Sequence, residues 1–454
     1  MNTPADATDL LARLIRFDTT NPPGNERPCV QFLADLLDRA GLSTQLLAQD
    51  ESRPNLIARL TGRGEAPPLL LYGHVDVVTA DRRRWTHPPF SGHIADGWLW
   101  GRGALDMKSG VAMMTAALLR AKAEGVQPAG DVLLAILPDE EAGGTHGARF
   151  LVENHPETFA GVRYAIGEFG GVPLHLFGRT FYAIQIAEKQ PCLLETTVSG
   201  DAGHGARPMR GGAMAKLAQV LAALERARTP IHVTPVARRM IESIASHLSG
   251  PRRWMLRGLL HPHLTDHILG LLGSAARNLE PLFRNTVNAT IVRGGEKPNV
   301  IPSEIVLGLD ARILPGFGVD DLLAELRSII GADTQLRVLL HDPAPPDPDY
   351  GLFDALGSIL KGIDPQGIPI PLLLPGSTDA RFFSRLGIQT YGFTPMKLPP
   401  DFDFFSTIHG ADERIPIEAI GFGTEAIYRV ITQYAGAYRN ASSNERILVR
   451  GTMS

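Results

Sequence analysis

Three apolar, strand-like runs in this chain each end in residues that can bind a metal or move a proton. His74 and Asp76 follow Leu69-Leu70-Leu71-Tyr72, Glu140 and Glu141 follow Val132–Leu137, and Glu168 follows Tyr164-Ala165-Ile166. Continuous apolar runs suit strands buried on both faces, as in a parallel sheet. Ligands of open α/β sheets bind beyond the carboxyl ends of the strands. Three such ends carrying imidazole and carboxylate predict one metal site rather than scattered surface charge. In an extended chain, residues two apart point the same way, so Asp76 is placed to hold the far ring nitrogen of His74. By the same geometry Glu140 and Glu141 point in opposite directions, one toward a metal and the other toward a substrate as a base.

Taken singly, each signal has an ordinary explanation. A lone His-x-Asp is weak, and Pro138-Asp139-Glu140-Glu141-Ala142-Gly143-Gly144 also reads as a solvated acidic turn. Asp106, within Gly101-Arg102-Gly103-Ala104-Leu105-Asp106-Met107-Lys108-Ser109-Gly110, stands just before a helix, where it reads equally as an N-cap. His409, in Ser406-Thr407-Ile408-His409-Gly410-Ala411-Asp412-Glu413-Arg414, reads alone as a loop histidine.

The elements that must position these groups alternate between strand and helix as far as about residue 190. Val30, Leu33, Leu36 and Leu37 mark a helix that stops at Gly41, and a second runs from Lys108 through Ala123. That alternation predicts an α/β fold, with a mixed, largely parallel sheet flanked by helices. Leu10, Leu11, Leu14, Ile15 and Phe17 form one face of a helix rather than a secretory segment. No apolar run approaches the ~18 residues of a membrane span. The net charge of -4 over 454 residues gives no pull toward nucleic acid or an anionic membrane. Cys29 and Cys192 are too few and too far apart for a disulfide framework or a thiolate site. A cytoplasmic location is the expectation.

After Lys189-Gln190-Pro191 the pattern changes. Strand signals at 193–199, 288–292, 305–313 and 335–340, with helices at 213–227 and 319–330, give a β-α-β-β-α-β order, a ferredoxin-like unit. It closes at the proline-rich stretch 342–348. The chain is therefore read as a catalytic domain of residues 1–190 and 345–454, interrupted by an inserted domain of residues 191–344. Residues 229–284 exceed what that inserted unit needs. They read as packing helices, with a hydrophobic acyl-binding wall or a membrane-surface helix as alternatives.

Together, in this order and context, the motifs resemble the M20 family of co-catalytic zinc peptidases and amidohydrolases, across nearly the whole chain. The Gly203-His204-Gly205-Ala206-Arg207-Pro208 segment and the long insertion look closest to its carboxypeptidase S-like branch. The resemblance implies two zinc ions bridged by Asp106, with cobalt or manganese as possible substitutes. His74 and Glu168 would complete one site, and Glu141 and His409 the other. Asp76 would orient His74, and Glu140 would be the general base toward a water shared by the metals. The peptide bond after Asp106 would be cis. His204 would stabilise the oxyanion, reaching a partner's active site across a homodimer formed by the inserted domain. Asn299, Arg312, Gly376, Ser377 and Thr378 would contact substrate. The implied activity is hydrolysis of a peptide or N-acyl amide bond beside a free carboxylate. An N-carbamoyl amino acid amidohydrolase remains an alternative, and a non-catalytic metal-binding protein a more remote one.

Overall fold

The three apolar runs are strands, Leu69–His74, Val132–Leu137 and Tyr164–Gly167, and every residue in them is buried. In the computed structural model, which describes residues 6–273, 279–332, 334–345 and 347–451 (side chains to residue 434), they lie side by side. Leu69–His74 pairs in parallel with Val132–Leu137 on one side and with Tyr164–Gly167 on the other. Gln389–Gly392 adds a fourth parallel strand beyond Tyr164–Gly167. These four form the centre of a nine-stranded sheet, whose flanking strands Ser43–Leu47, Asn55–Leu60 and Val172–Leu176 pair antiparallel. The register sets His74 opposite Leu137, so both strands stop at one level. The chemistry-bearing residues follow just beyond that level.

Both faces of this sheet are covered, which is why the strands read as unbroken apolar runs. On one face, Leu70, Tyr72, Leu133 and Leu137 pack with Leu151, Phe159 and Phe383, and the Tyr72 and Phe383 rings are 4.8 Å apart. On the other, the helix Lys108–Ala123 packs on Leu69–His74, on Ala7–Ile15 and on the long C-terminal helix Ile417–Gly451. Lys108–Ala123 is buried almost all round, as a helix enclosed by neighbours must be. Ala7–Ile15 presents the expected face, with Leu10, Leu11, Leu14 and Ile15 buried.

The chain divides into two compact units: Met1–Ile186 with Asp349–Leu372 and Thr378–Ser454, and Ala187–Pro348 with Leu373–Ser377. The second unit holds a four-stranded antiparallel sheet in the order Thr286–Arg293, Glu304–Ile313, Gln190–Ser199, Leu336–His341. With the helices Ala213–Arg226 and Val319–Ile330 packed against Ile305, Leu307 and Leu309, this is the ferredoxin-like arrangement. Among its described residues, the stretch expected to be extra helices forms three: Pro235–Ser246, Gly250–Gly258 and Pro262–Leu272. No described helix is long and apolar enough to cross a membrane.

Within the second unit Lys189 is fully buried, and its Nζ donates to the Arg284 carbonyl at 2.8 Å and to Thr286 Oγ1 at 2.9 Å. Burial, with the nearby Arg312 guanidinium, pushes its pKa down to about 7. A neutral amine keeps the two donors those acceptors need. The unfolded chain holds this proton up to a pKa of about 10.4, so between pH 7 and 10 it binds more protons than the fold. The penalty for burying the charged amine is therefore full below pH 7 and shrinks as pH rises. Urea unfolding of wild type and Lys189→Met checks this: the stability of wild type relative to the variant should increase from pH 7 to pH 10.

Candidate metal centre

Four side chains from distant parts of the first unit converge on a fifth, Asp106. His74 Nε2 lies 3.2 Å from Asp106 Oδ1 and 3.4 Å from Glu168 Oε2. His409 Nε2 lies 3.3 Å from Asp106 Oδ2 and 3.1 Å from Glu141 Oε1. Asp106 thus offers one oxygen to each of two donor sets, His74–Asp106–Glu168 and Asp106–Glu141–His409, each with its donor atoms within 4.8 Å of one another. Such separations suit donors gathered about a cation at ~2.0–2.2 Å, and the imidazole–carboxylate mix suits zinc. Both Glu168 oxygens are buried without a hydrogen-bond partner among the described residues, an expensive arrangement for a carboxylate that no cation would meet. The first set is buried, whereas the second runs from buried Asp106 to exposed His409, which leaves it open to a small molecule.

The local backbone explains how these groups are held. His74 closes its strand, and its Nδ1–H donates to the Asp76 carbonyl at 3.0 Å, leaving Nε2 to face Asp106 and Glu168. Asp76 therefore orients His74 chiefly through its backbone, its carboxylate oxygen being 3.4 Å from Nδ1. The Asp76 carboxylate instead accepts the N–H groups of Glu140 and Glu141, each at 3.1 Å. Glu140 and Glu141 are not extended, as strand alternation predicted: Asp139 adopts a left-handed φ of 72° and turns the chain into a short 3-10 turn, Glu140–Ala142. Nor is Asp106 an N-cap. Met107 occupies that position with no side-chain cap bond, and the Asp106–Met107 peptide is cis.

Two further devices fix the ligands. Glu413, fully buried, accepts the N–H groups of Leu105 at 2.7 Å and Asp106 at 3.2 Å, and pairs with Arg102 Nη1 at 2.6 Å. Arg102 Nη2 in turn donates to the His409 carbonyl at 3.1 Å, so one ion pair secures the backbones of two of the converging residues. Beyond Glu168, a Cβ on Gly170 would sit 1.6 Å from the Gly392 carbonyl oxygen, so only glycine lets that loop close on the neighbouring strand. His409 and Phe169, the latter adjoining Glu168, have φ values of 60° and 58°, a left-handed backbone that costs about 1–3 kcal/mol and gathers at functional sites.

The electrostatics follow from burying acids together. Burial pushes Glu168 up to about 8, against the pull of His74. Burial and then the charge of Glu168 raise Glu140 well above the usual carboxylate range. Asp379, buried with neither oxygen hydrogen-bonded among the described residues, is pushed by burial up to about 6. Burial opposes a charge on His74, but the facing carboxylates of Asp106, Asp76 and Glu168 outweigh it and raise its pKa well above the usual value. Contacts with Asp106 and then Glu141 push His409 up to about 10.

The remaining candidates have their own surroundings. In the second unit, the two-residue strand Gly203–His204 pairs with Val300–Ile301, and exposed His204 accepts the Ala206 N–H on Nδ1 at 3.1 Å. The Asn299 carbonyl accepts the Gly205 N–H at 2.8 Å. Arg312 forks onto Asp310 at 2.8 and 3.0 Å and donates to Ser377 Oγ at 2.9 Å, one residue after Gly376. In the first unit, Thr378 is buried and its Oγ1 accepts the Ala380 N–H at 3.1 Å. Sequence reasoning passed over Asn21, Arg53, Arg102, Asp379 and Glu413. Arg102 and Glu413 lie inside the Gly101–Gly110 and Ser406–Arg414 segments, and Asp379 directly follows Thr378, but nothing in residue type separates them from solvated charges.

The family model for peptidase family M20/M25/M40 matches residues 70–433, a span that takes in all five converging side chains. The chain belongs to this family. The succinyl-diaminopimelate desuccinylase of Paracoccus denitrificans is 38% identical over 441 residues, covering 94% of this chain and 98% of its own. The probable carboxypeptidase S-like 2 of Dictyostelium discoideum is 29% identical over 365 residues, covering 77% of this chain and 68% of its own. Among solved structures, the M20 family metallo-carboxypeptidase Sso-CP2 from Sulfolobus solfataricus has the same fold, with a TM-score of 0.69 at 16% identity over 95% of this chain and 99% of that one.

The raised pKa of His74 and His409 has a measurable consequence for this M20 chain, because an imidazole nitrogen binds a cation only once its proton has left. Cations must displace those protons, so apparent metal affinity should rise with pH across the neutral range. Zinc added to chelator-stripped protein should raise Tm, with about 2.7 kcal/mol of stabilisation at a hundredfold excess over Kd. His74→Ala should lose most of that gain in the same thermal melts.

Proposed function

We propose that this protein is a dinuclear zinc hydrolase that cleaves a peptide or N-acyl amide bond beside a free carboxylate. The observation that carries the reading is Asp106 shared between two imidazole–carboxylate sets, with Glu140 next to the ligand Glu141. His74, Asp106 and Glu168 would hold one ion, and Asp106, Glu141 and His409 the other. Zinc so bound acidifies water and polarises a scissile carbonyl, and cobalt or manganese can supply the same chemistry. Glu140 takes the proton of the attacking water and delivers it to the leaving amine. Asp76 holds Glu140 in place through the backbone N–H it accepts.

The second unit, with Thr378 of the first, supplies the substrate contacts in this reading. His204 accepts on Nδ1, so its proton resides on Nε2, where it can donate to the oxyanion. Arg312, with Ser377 and Gly376 beside it, meets the free carboxylate, and Asn299 and Thr378 line the substrate. Beside Asp106 and Glu168 the first unit has a pocket walled by Leu105, Met107, Phe169, Met396, Phe404 and Ile408. The ferredoxin-like unit pairs two copies into a homodimer, through which His204 serves the partner's site.

Glu140→Gln tests the mechanism, because the amide keeps the shape but cannot take a proton. The variant should retain zinc by elemental analysis while kcat falls by about 10²–10⁴-fold. Unchanged turnover would remove Glu140 as base. Running dipeptides, N-acyl and N-carbamoyl amino acids side by side reads the substrate class, and cleavage of the carbamoyl compounds alone would overturn it.

A further inference from the structure

The turn carrying Glu140 and Glu141 rests on a buried chain of polar side chains, and Asn21 is its centre. The Asn21 Nδ2 group donates to Asp76 Oδ2 at 2.9 Å and to Asp139 Oδ1 at 3.0 Å. Asp76 accepts the N–H groups of Glu140 and Glu141. Asp139 accepts the His146 N–H at 3.0 Å, on the far side of the same loop. Arg53 meets Asp139 at 3.0 Å and forks onto Glu26 at 3.0 and 2.7 Å. Asn21, Asp76, Asp139, Glu26 and Arg53 are all buried, at most 6% exposed. The Asn21 backbone is itself pinned, its N–H donating to the Val77 carbonyl at 2.9 Å, just past Asp76.

The residue type matters. Asp76 and Asp139 are both buried acids, and carboxylates so placed repel unless donors stand between them. A primary amide offers two N–H donors on one nitrogen and no charge. Each hydrogen bond ends on a carboxylate, the stronger class of such bonds. An aspartate of the same shape would replace both donors with a third negative charge.

We propose that Asn21 is a positioning residue of the hydrolytic centre: its amide ties Asp76 to Asp139 and so holds Glu140 and Glu141 at the reach a base and a ligand require. The inference rests on the reading of Glu140 as base and Glu141 as ligand. Asn21 touches neither substrate nor metal and acts through the two aspartates.

The test uses full-length, zinc-loaded wild type, Asn21→Ala, Asn21→Asp and Glu140→Gln. Zinc affinity is read by competition with a chromophoric chelator, and kcat and KM are read per bound zinc. Asn21→Ala should lower kcat and zinc affinity each by about 10–100-fold, with KM nearly unchanged, and Asn21→Asp should lose more. Should Asn21→Ala fail to fold, Asn21→Ser, which keeps one donor, is read in its place and should show the same losses in smaller measure. A folded variant with a lower Tm but wild-type kcat per zinc and wild-type zinc affinity would show a purely structural role and overturn the proposal. Full turnover by Glu140→Gln would instead sink the base assignment, and the zinc affinities of the Asn21 variants would then decide the positioning role alone.

Discussion

Like charges buried together must be compensated, and the first unit is organised around that requirement. Asp106, Glu141, Glu168, Glu140, Asp379 and Asp76 lie in one neighbourhood, faced by the imidazoles of His74 and His409. Carboxylates taken out of water at such spacing repel one another strongly and drive their own neutralisation. Asp106 is the shared element. With one oxygen toward each histidine, it makes two donor sets out of what would otherwise be a crowd of acids. Everything around it constrains direction: Glu413 grips its N–H, the sheet register levels the strand ends, and Gly170 lets the Glu168 loop close.

Much of this was legible from residue type and order. The strand ends were visible because fully buried parallel strands leave unbroken apolar runs, and the residues after such runs face the ligand side of the sheet. The helices at 30–37 and 108–123 and the ferredoxin-like order were visible through periodicity and glycine stops. Turn geometry was not visible. Glu140 and Glu141 look like strand continuation until the left-handed Asp139 bends them, and few sequence rules place an aspartate in that conformation. The hydrogen bond from His74 to the Asp76 carbonyl was hidden for a related reason: a two-residue spacing predicts side-chain direction but is silent on carbonyl direction.

The supporting shell was the least legible part. Asn21, Arg53 and Glu26 stand far from any motif, and each belongs to a residue type that usually faces water. Their role exists only once the fold lays the chain before Pro22 alongside the chain after Asp76. Charges that support a site are harder to recognise than charges that form it, because their partners are one another and leave no local spacing to read.

The order in which the chain is made bears on the ion pair between Glu413 and Arg102. Asp106 emerges from the ribosome some three hundred residues before Glu413 and His409. The intervening Ala187–Pro348 unit alone takes roughly 10–30 s to synthesise at ordinary translation rates. For that interval the nascent chain has His74, Asp106, Glu141 and Glu168 but neither the closing histidine nor the clamp on Asp106. It also has Tyr164–Gly167 as a bare strand edge, still awaiting Gln389–Gly392. Completion of the Asp106–Glu141–His409 donor set is thereby deferred to the last part of synthesis, and the same late segment that completes it also seals the sheet.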